Sequence, residues 1–361
     1  MLLKRFLPES PDESLLNSEL THYDQGPIGV LVVNLGTPDA PTKSAIKRYL
    51  AEFLSDPRVI EIPQFVWQFI LRGAVLPLRP RKLVEKYELI WLPEGAPLLV
   101  YSQRQAEGIE AGLRAQGVEV HAELAMRYGN PSIPSAIERL RAKGCQRIVV
   151  VQLYPQYAAS TTATAVDAIN RYLAKLRNQP EMRFIKSYYD APQYIQPLSQ
   201  HIRRYWAEHG TPERLLLSFH GLPRRCAADG DPYYRECILT AHAVRQALAD
   251  TGVPVFASFQ SRFGAERWLE PYTEPLLRQW AKEGVKHVHV TCPGFLADCL
   301  ETLEEIQLEC RDAFLEDGGT DFGYIPCLND DPEWVKGLTE LVHQNLGGWI
   351  APSVPSSTVP S

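Results

Sequence analysis

The sequence predicts an α/β protein made of two tandem doubly wound lobes, each a parallel sheet flanked by helices. Short runs rich in Val, Ile and Leu alternate with amphipathic segments, a pattern typical of βαβ units. A motif from the first half of the chain also recurs in the second half. The length of 361 residues fits two lobes better than one, because domains cluster at roughly 100–150 residues.

The apolar runs are the predicted strands, and a glycine precedes four of them. These glycines, at positions 117, 144, 252 and 284, can each end a helix in the left-handed conformation. In chain order the strands are expected at Ile28–Asn34, Val118–Met126, Arg147–Leu153, Phe184–Tyr188, Arg214–Phe219, Val253–Phe259 and Val285–Thr291, with Phe184–Tyr188 the weakest pattern.

The internal repeat indicates two copies of one lobe. Residues 117–129 read Gly-Val-x-Val-x-Ala and then Arg-Tyr-Gly, and residues 252–264 repeat this pattern with Arg-Phe-Gly. Leu35-Gly-Thr-Pro after the first strand is matched by His220-Gly-Leu-Pro in the second half. Ligands of open α/β sheets bind at the carboxyl ends of the strands, so these matched ends are expected to face a shared cleft.

The lobes are assigned to residues 28–180 and 181–346. The segment 1–27 is expected to be mostly disordered. The tail 347–361 is rich in Pro and Ser with little to bury, so it is expected to be disordered as well.

Charge, cysteine content and missing motifs exclude several classes of protein. A net charge of -6 with a pI near 5.9 does not suit a protein that binds a phosphate backbone, so no nucleic-acid partner is expected. Seven scattered cysteines and the lack of a signal peptide favour a reducing cytoplasm. The usual dinucleotide, P-loop, serine-hydrolase and zinc-protease motifs are missing from the sequence.

The most apolar stretch runs from Phe65 to Leu78 and is interrupted by Gln68 and Arg72. It is far below the ~20 residues that a membrane-spanning helix needs. An ordinary buried helix is favoured here. The alternatives are a segment that dips into a membrane surface and the apolar rim of a pocket.

His220 is the first candidate for chemistry, because it ends the apolar run LLLSF at a predicted strand terminus. A histidine there could act as a general base near neutral pH or as a metal ligand. The ordinary alternative is a partly buried histidine that is hydrogen-bonded to a nearby carbonyl.

The second candidate is the acidic segment 293–310. On an α-helix, Glu301, Glu305 and Glu309 would share one face with Asp298, and no Lys or Arg lies among residues 295–310. The pattern by itself favours a solvated face. A row of carboxylates aimed into a cleft would instead suit a divalent cation that is passed inward.

Several motifs resemble those of the ferrochelatase family, and the similarity runs from about residue 28 to 345. SFHGLP with the acidic ADCLETLEE segment is the most specific part. The motifs are VVNLGTPDAP (32–41), YLAEFLSDPRVI (49–60), VQLYPQYAASTTAT (151–164), SFHGLP (218–223), GDPY (230–233), FQSRFGAERWLEP (259–271) and PGFLADCLETLEEI (293–306).

The resemblance implies two Rossmann-like, chelatase-type lobes with a porphyrin between them, and insertion of Fe²⁺ into protoporphyrin IX to form haem. By motif position, His220 and Glu301 are the expected catalytic residues, and His220, Glu301 and Glu305 are the expected metal-binding residues. Porphyrin contacts are expected from Leu35, Arg79, Arg127, Tyr128, Ser160, Trp268 and Phe295.

The resemblance makes Fe²⁺ a substrate and leaves open whether the chain carries an iron–sulfur cluster. No cluster is expected, because Ala159 stands at the internal ligand position and no cysteine follows Cys327. The expected partners are protoporphyrin IX and Fe²⁺, with peripheral membrane contact as an option. Two rival functions stay open: a related chelatase using another metal or tetrapyrrole, such as cobalt or coproporphyrin, and a non-catalytic two-lobed binding protein.

Overall fold

The computed structural model, which describes residues 26–264 and 266–350, contains two parallel four-stranded sheets. Their strand orders are β2-β1-β3-β4 and β6-β5-β7-β8, so the second sheet repeats the topology of the first. The predicted class and the two-lobed repeat are confirmed. The strands are β1 (Ile28–Thr37), β2 (Val120–Gly129), β3 (Arg147–Gln152), β4 (Glu181–Phe184), β5 (Arg214–His220), β6 (Val255–Gln260), β7 (His287–Thr291) and β8 (Asp321–Tyr324).

Helices cover both faces of the sheets, which explains why the central strands β1, β3 and β5 are largely apolar and buried, and why β7 is buried as well. The helices are α1 (Lys43–Phe53), α2 (Gln64–Ile70), α3 (Leu76–Ile90), α4 (Pro97–Ala115), α5 (Ile133–Ala142), α6 (Thr164–Leu173), α7 (Pro192–His209), α8 (Arg224–Ala228), α9 (Tyr233–Ala247), α10 (Thr273–Lys282), α11 (Leu300–Leu303), α12 (Arg311–Glu316) and α13 (Pro332–Gln344). Shorter π-helical turns lie at Leu71–Val75, Ala159–Ala163 and Glu305–Cys310, and a 3₁₀ turn lies at Ala249–Thr251.

The outer strands β4 and β8 differ from the sequence prediction. β4 lies at Glu181–Phe184 and not at Phe184–Tyr188, and it pairs with β3 of the first sheet. The predicted lobe boundary between residues 180 and 181 is therefore too early. β8 was not predicted at all, because its four residues, DFGY, include only two fully buried positions and give no clear apolar run.

The last helix, α13, fastens the two halves together by packing on α4 and α7. Glycines in α4 allow the close approach. A Cβ atom at Gly108 would lie 2.4 Å from Val335 Cγ1, and one at Gly112 would lie 2.8 Å from Thr339 Cγ2. The end of the chain therefore packs against a helix of the first lobe.

The beginning of the predicted tail is packed and not disordered. Arg147 donates a hydrogen bond from Nη1 to the Trp349 carbonyl (3.0 Å), and the Arg183 guanidinium lies 3.8 Å from the centre of the Trp349 ring. The remainder of the predicted disorder, residues 1–25 and 351–361, lies outside the described residues. Within the described ranges, no helix has the length and apolar character that a bilayer crossing requires.

His289 of β7 is a buried histidine at the edge of the second lobe that faces away from the cleft ends of the strands. Its side chain is 1% exposed, and the missing side chain of Gly323 makes room for it, since a Cβ there would lie 2.3 Å from His289 Cδ2. Burial and then the neighbouring His287 lower its pKa from 6.5 to about 4, against a weaker opposing effect of Asp321.

We expect this histidine to make the fold sensitive to acid. The unfolded chain binds the proton near pH 6.5 and the folded chain only near pH 4, so stability falls as the pH falls through this window, by about 2 kcal/mol at pH 5. His289→Phe should remove this contribution. Thermal unfolding at pH 7.5 and 5.0 should show a smaller acid-induced drop than in the wild type. The exposed His242→Phe is the control, and an unchanged drop in His289→Phe would contradict the expectation.

Candidate active site

The end of β5 places His220 at the carboxyl edge of the second sheet, as the sequence predicted. Its Nδ1 lies 2.6 Å from the Gly221 carbonyl oxygen, which can only accept, so Nδ1 carries the proton and Nε2 keeps its lone pair. The Tyr233 hydroxyl donates to the His220 carbonyl (2.9 Å) and fixes the backbone. The neutral form of His220 is therefore the Nδ1–H tautomer, which can accept a proton or bind a metal through Nε2.

Two predicted aromatic residues flank the His220 ring. The ring centroids of Trp268 and Phe295 each lie 6.4 Å from it. Gly221 lets the loop lie against the indole, because a Cβ atom there would lie 3.1 Å from Trp268 Cε3 and 2.8 Å from the Gln260 carbonyl oxygen. The structure thus brings His220, Trp268 and Phe295 into one apolar-walled pocket.

Glu305 is held next to this pocket by the end of β6. Its carboxylate accepts from the Ser261 amide (2.7 Å) and the Ser261 hydroxyl (2.5 Å), and Ser261 adopts a left-handed φ of 61° to make both bonds. Burial raises the pKa of Glu305 and nearby Glu301 adds to the rise, while Ser261 and His220 oppose it. Glu305, Glu301 and His220 are therefore close enough to influence one another electrostatically.

Glu301 is the second residue of the short helix α11, and its carbonyl accepts from Gln260 Nε2 (2.6 Å). Burial raises the pKa values of Tyr49, Tyr87 and Cys299, and the negative charge of Glu301 raises each of them further. Tyr49 and Tyr87 belong to the first half of the chain. Glu301 therefore lies where helices of the first half meet the acidic segment of the second.

The predicted row of Glu301, Glu305 and Glu309 on one α-helical face is wrong, because residues 305–310 form a π turn. The Glu309 amide donates to the Glu304 carbonyl (3.0 Å), an i to i+5 bond. Glu309 therefore stacks with Glu304 and shares Lys86 with it, while Glu305 faces Ser261. The segment itself has no Lys or Arg among residues 295–310, and α3 supplies Lys86 as the neutralising cation.

Asp298 does not join the carboxylates of the site. It is buried and accepts hydrogen bonds from Thr302 Oγ1 (2.9 Å), Tyr324 OH (2.5 Å) and Asn329 Nδ2 (2.7 Å). This network ties the start of the acidic segment to the loop after β8, so Asp298 positions the helix and has no face toward the pocket.

Arg127 and Tyr128 lie inside the protein. Arg127 Nη2 lies 2.5 Å from Asp56 Oδ2, with its side chain 9% exposed. The fully buried Tyr128 donates its hydroxyl to the same oxygen at 2.9 Å. In this structure the Arg127 charge is therefore already paired, and the expected contact of the two residues with a porphyrin stays a prediction.

Burial would raise the pKa of Asp56, but hydrogen bonds from Thr164, the Arg58 amide and Tyr128, with the charge of Arg127, lower it. Asp56 is therefore a buried ionised carboxylate with four partners. This residue could not be singled out from the sequence, although it lies in the motif YLAEFLSDPRVI, because three of its four partners come from β2 and α6, far away in the chain.

The other predicted porphyrin residues are more dispersed. Leu35, near the end of β1, is half-buried against the cluster that contains Tyr49 and Tyr128. Arg79 of α3 is exposed, with its guanidinium 5.1 Å from the Phe263 ring centre. Ser160 is half-buried in the π turn Ala159–Ala163, next to the Ala159 amide that donates to Asp231 (2.7 Å).

The favoured interpretation of residues 65–78 as a buried helix is wrong. Phe65 and Phe69 are each 83% exposed and Leu78 is 70% exposed. These side chains lie on α2 and at the start of α3, the helix that also carries Arg79. They form an exposed apolar patch, which we call the rim.

The arrangement as a whole combines a proton acceptor, two carboxylates and an aromatic wall. Across residues 26–264 and 266–350, no three His, Cys, Asp or Glu side chains form a ready metal-binding group.

The chain matches known proteins along nearly its whole length. The ferrochelatase family model matches residues 27–346. A ferrochelatase of Bordetella pertussis is 56% identical over 346 residues, covering 96% of both chains, and one of Azoarcus sp. is 50% identical over 354 residues, covering 98% of this chain and 95% of that one. Among solved structures, SirB from Bacillus subtilis with Fe³⁺ has a TM-score of 0.51 at 14% identity, covering 89% of this chain and 96% of that one.

Proposed function

This chain belongs to the ferrochelatase family and makes haem by inserting a metal into a porphyrin, and from that premise we propose that the metal is Fe²⁺ and the porphyrin protoporphyrin IX. The proposal rests on the pocket, in which His220 lies opposite the polar, acidic segment. Such a pair suits metal insertion, because this reaction must remove two pyrrole protons and deliver one dication. His220 and Glu301 are the proposed catalytic residues.

His220 accepts one pyrrole proton through Nε2, and the Glu301 carboxylate takes up the other. The Gly221 carbonyl fixes the tautomer, so the lone pair of Nε2 is available at the pocket. A metal-ligand role for the same nitrogen is the competing assignment, because neutral imidazole serves both.

Glu301 and Glu305 hold and deliver Fe²⁺. Oxygen ligands of this kind bind divalent cations, and the raised pKa of Glu305 lets that carboxyl also take up and release a proton. The two bonds from Ser261 keep Glu305 in place while the metal leaves it.

Leu35, Trp268 and Phe295 contact the faces of the porphyrin. The binding energy of these contacts offsets the cost of bending the ring, which exposes its nitrogens. Arg79, exposed beside the rim, pairs with a propionate. Arg127, Tyr128 and Ser160 support the pocket, and Arg127 would have to leave Asp56 to bind a propionate itself.

The protein works in the cytoplasm without an iron–sulfur cluster, and its rim touches a membrane surface. Six of the seven cysteines are buried, and a [2Fe–2S] centre needs four converging thiolates. Acid-labile sulfide in the purified protein would refute the proposed absence of a cluster.

Exposed Phe65 and Phe69 support the contact of the rim with a membrane surface. Phe69→Ser should weaken co-sedimentation with anionic vesicles.

The test of the proposed function is metal insertion by the purified chain, followed by absorbance. Fe²⁺ under anaerobic conditions, or Zn²⁺ in its place, should enter protoporphyrin IX with turnover. Coproporphyrin as the better tetrapyrrole, or Co²⁺ as the only metal accepted, would favour the related-chelatase alternative. An absence of turnover with every pair would refute the proposal.

The carboxylates of the acidic segment should differ in effect. Glu301→Gln should lower kcat by about 100-fold, at the lower limit for a lost acid–base group. Glu305→Gln should chiefly raise the KM for metal, and Glu309→Gln should have the smallest effect because that side chain is 56% exposed and paired with Lys86. Steady-state kinetics with varied metal would check this. Three near-wild-type variants would show that the segment is merely a solvated face.

A further inference from the structure

Lys86 of α3 places its ammonium group between two carboxylates of the acidic segment. Its Nζ lies 2.6 Å from Glu304 Oε1 and 2.8 Å from Glu309 Oε1. The Glu304 side chain is only 9% exposed, whereas that of Glu309 is 56% exposed. A buried carboxylate and an exposed one thus share a single cation that comes from the other half of the chain.

The π turn creates this arrangement. An α-helix would place Glu309 on the face of Glu305, whereas the i to i+5 register stacks it with Glu304. The segment therefore has an inner pair, Glu301 and Glu305, beside His220, and an outer pair, Glu304 and Glu309, under Lys86.

The two pairs differ in charge compensation. In the described part of the chain, Lys86 forms its ion pairs with the two carboxylates of the outer pair. Glu305 of the inner pair is instead held by the uncharged Ser261. Two stacked carboxylates without a cation would together attract a hard divalent ion such as Mg²⁺, which prefers oxygen ligands. The ammonium of Lys86 removes that attraction from the outer pair and leaves it at the inner pair.

We propose that Lys86 is a specificity-determining residue, a tethered cation that keeps divalent ions off the outer pair and so confines the substrate metal to Glu301 and Glu305. This role rests on the proposed function, metal insertion at the inner pair. Lys86 acts through the occupancy of the outer pair and touches no reacting atom.

Thermal unfolding of the full chain with and without Mg²⁺, at constant ionic strength, tests the first half of the proposal. Lys86→Met should gain a Mg²⁺-dependent rise in Tm of roughly 2–4 °C once Mg²⁺ exceeds its dissociation constant about tenfold. The wild type and Lys86→Arg should lack this added rise, because any Mg²⁺ bound at the inner pair is common to all three proteins. The double variant Lys86→Met/Glu309→Gln should lose it, because one carboxylate of the outer pair is gone. A Lys86→Met protein that ignores Mg²⁺ would overturn the proposal.

Insertion kinetics test the second half. In Lys86→Met, 10-fold excess Mg²⁺ over its dissociation constant should raise the apparent KM for the substrate metal several-fold and leave the KM for porphyrin unchanged, and Lys86→Arg should restore wild-type behaviour. Equal metal KM values in all three proteins would overturn the role in specificity. If the wild type inserts no metal at all, the proposed function fails, while the Mg²⁺ effect on Tm still reports on Lys86 separately.

Should Lys86→Met be too unstable to purify, Lys86→Gln replaces it in both measurements, since an amide can still donate to Glu304 but carries no charge. The expected Mg²⁺ responses are the same, and their absence in Lys86→Gln counts equally against the proposal.

Discussion

His220→Ala should abolish metal insertion, with kcat reduced at least about 100-fold, because the variant loses the Nε2 lone pair that accepts the pyrrole proton. Porphyrin binding should survive, since Trp268 and Phe295 remain. The melting temperature should move little, because the Tyr233 bond goes to the backbone of residue 220 and not to the imidazole. Stopped-assay kinetics, porphyrin fluorescence titration and thermal unfolding together separate chemistry from binding and folding.

The matched control for the lost imidazole is His242→Ala, since His242 is exposed on α9 and away from the pocket. It should insert metal at the wild-type rate. Activity of His220→Ala within a factor of ~10 of the wild type would be too high for the loss of a general base and would remove His220 from the catalytic role.

Asp56→Asn should destabilise the protein by about 3–5 kcal/mol, the cost of leaving a buried charge without its partner. Arg127 is 9% exposed and pairs with Asp56, and Tyr128 and Thr164 donate to the same oxygen. The side-chain amide introduced by Asp56→Asn is uncharged, so Arg127, Tyr128 and Thr164 would lose the negative charge that they surround. Chemical denaturation at neutral pH measures the loss of stability. The insertion activity at low temperature should fall by a smaller factor than the folding equilibrium constant.

Asp167→Asn provides the comparison, because Asp167 pairs with Arg58 where both side chains are 40% exposed. An exposed pair of this kind contributes about 0–1 kcal/mol. Equal effects of the two variants would contradict the buried role of Asp56.

The lowered pKa of Asp56 also sets the pH dependence of stability. The contribution of Asp56 to stability is complete above its unfolded pKa of 3.8 and is lost as the pH falls through the still lower folded pKa.

The sequence predicted well the features that depend on residues close together in the chain. The central strands β1, β3 and β5 contain runs of consecutive buried apolar residues, and they were found with small errors at their ends, as was the less apolar β7. Each of the glycines at 117, 144, 252 and 284 has a positive φ, as a helix-ending residue should. The short outer strands β4 and β8 carry too few buried residues to leave such a pattern.

The acidic segment shows where the sequence pattern failed. Spacing of i, i+4 and i+8 assumes an α-helix, and a single π turn is enough to move Glu309 from Glu305 to Glu304. Nothing in the segment itself signals Lys86, which lies 223 positions from Glu309 in the chain. Likewise, Arg127 looked available for a ligand because its partner Asp56 comes from a distant loop.

The sequence by itself determined the two repeated lobes, the strand end that carries His220 and the family to which the chain belongs, since each depends on local apolar periodicity or on contiguous motifs. Only the tertiary structure decided which charges are free. It buried Arg127 against Asp56, exposed Phe65 and Phe69, and divided four glutamates into the inner pair and the outer pair, of which the outer pair is bound by Lys86. The physical reason is that a charge is compensated by its neighbours in space, and these come from elements that lie far apart in the chain.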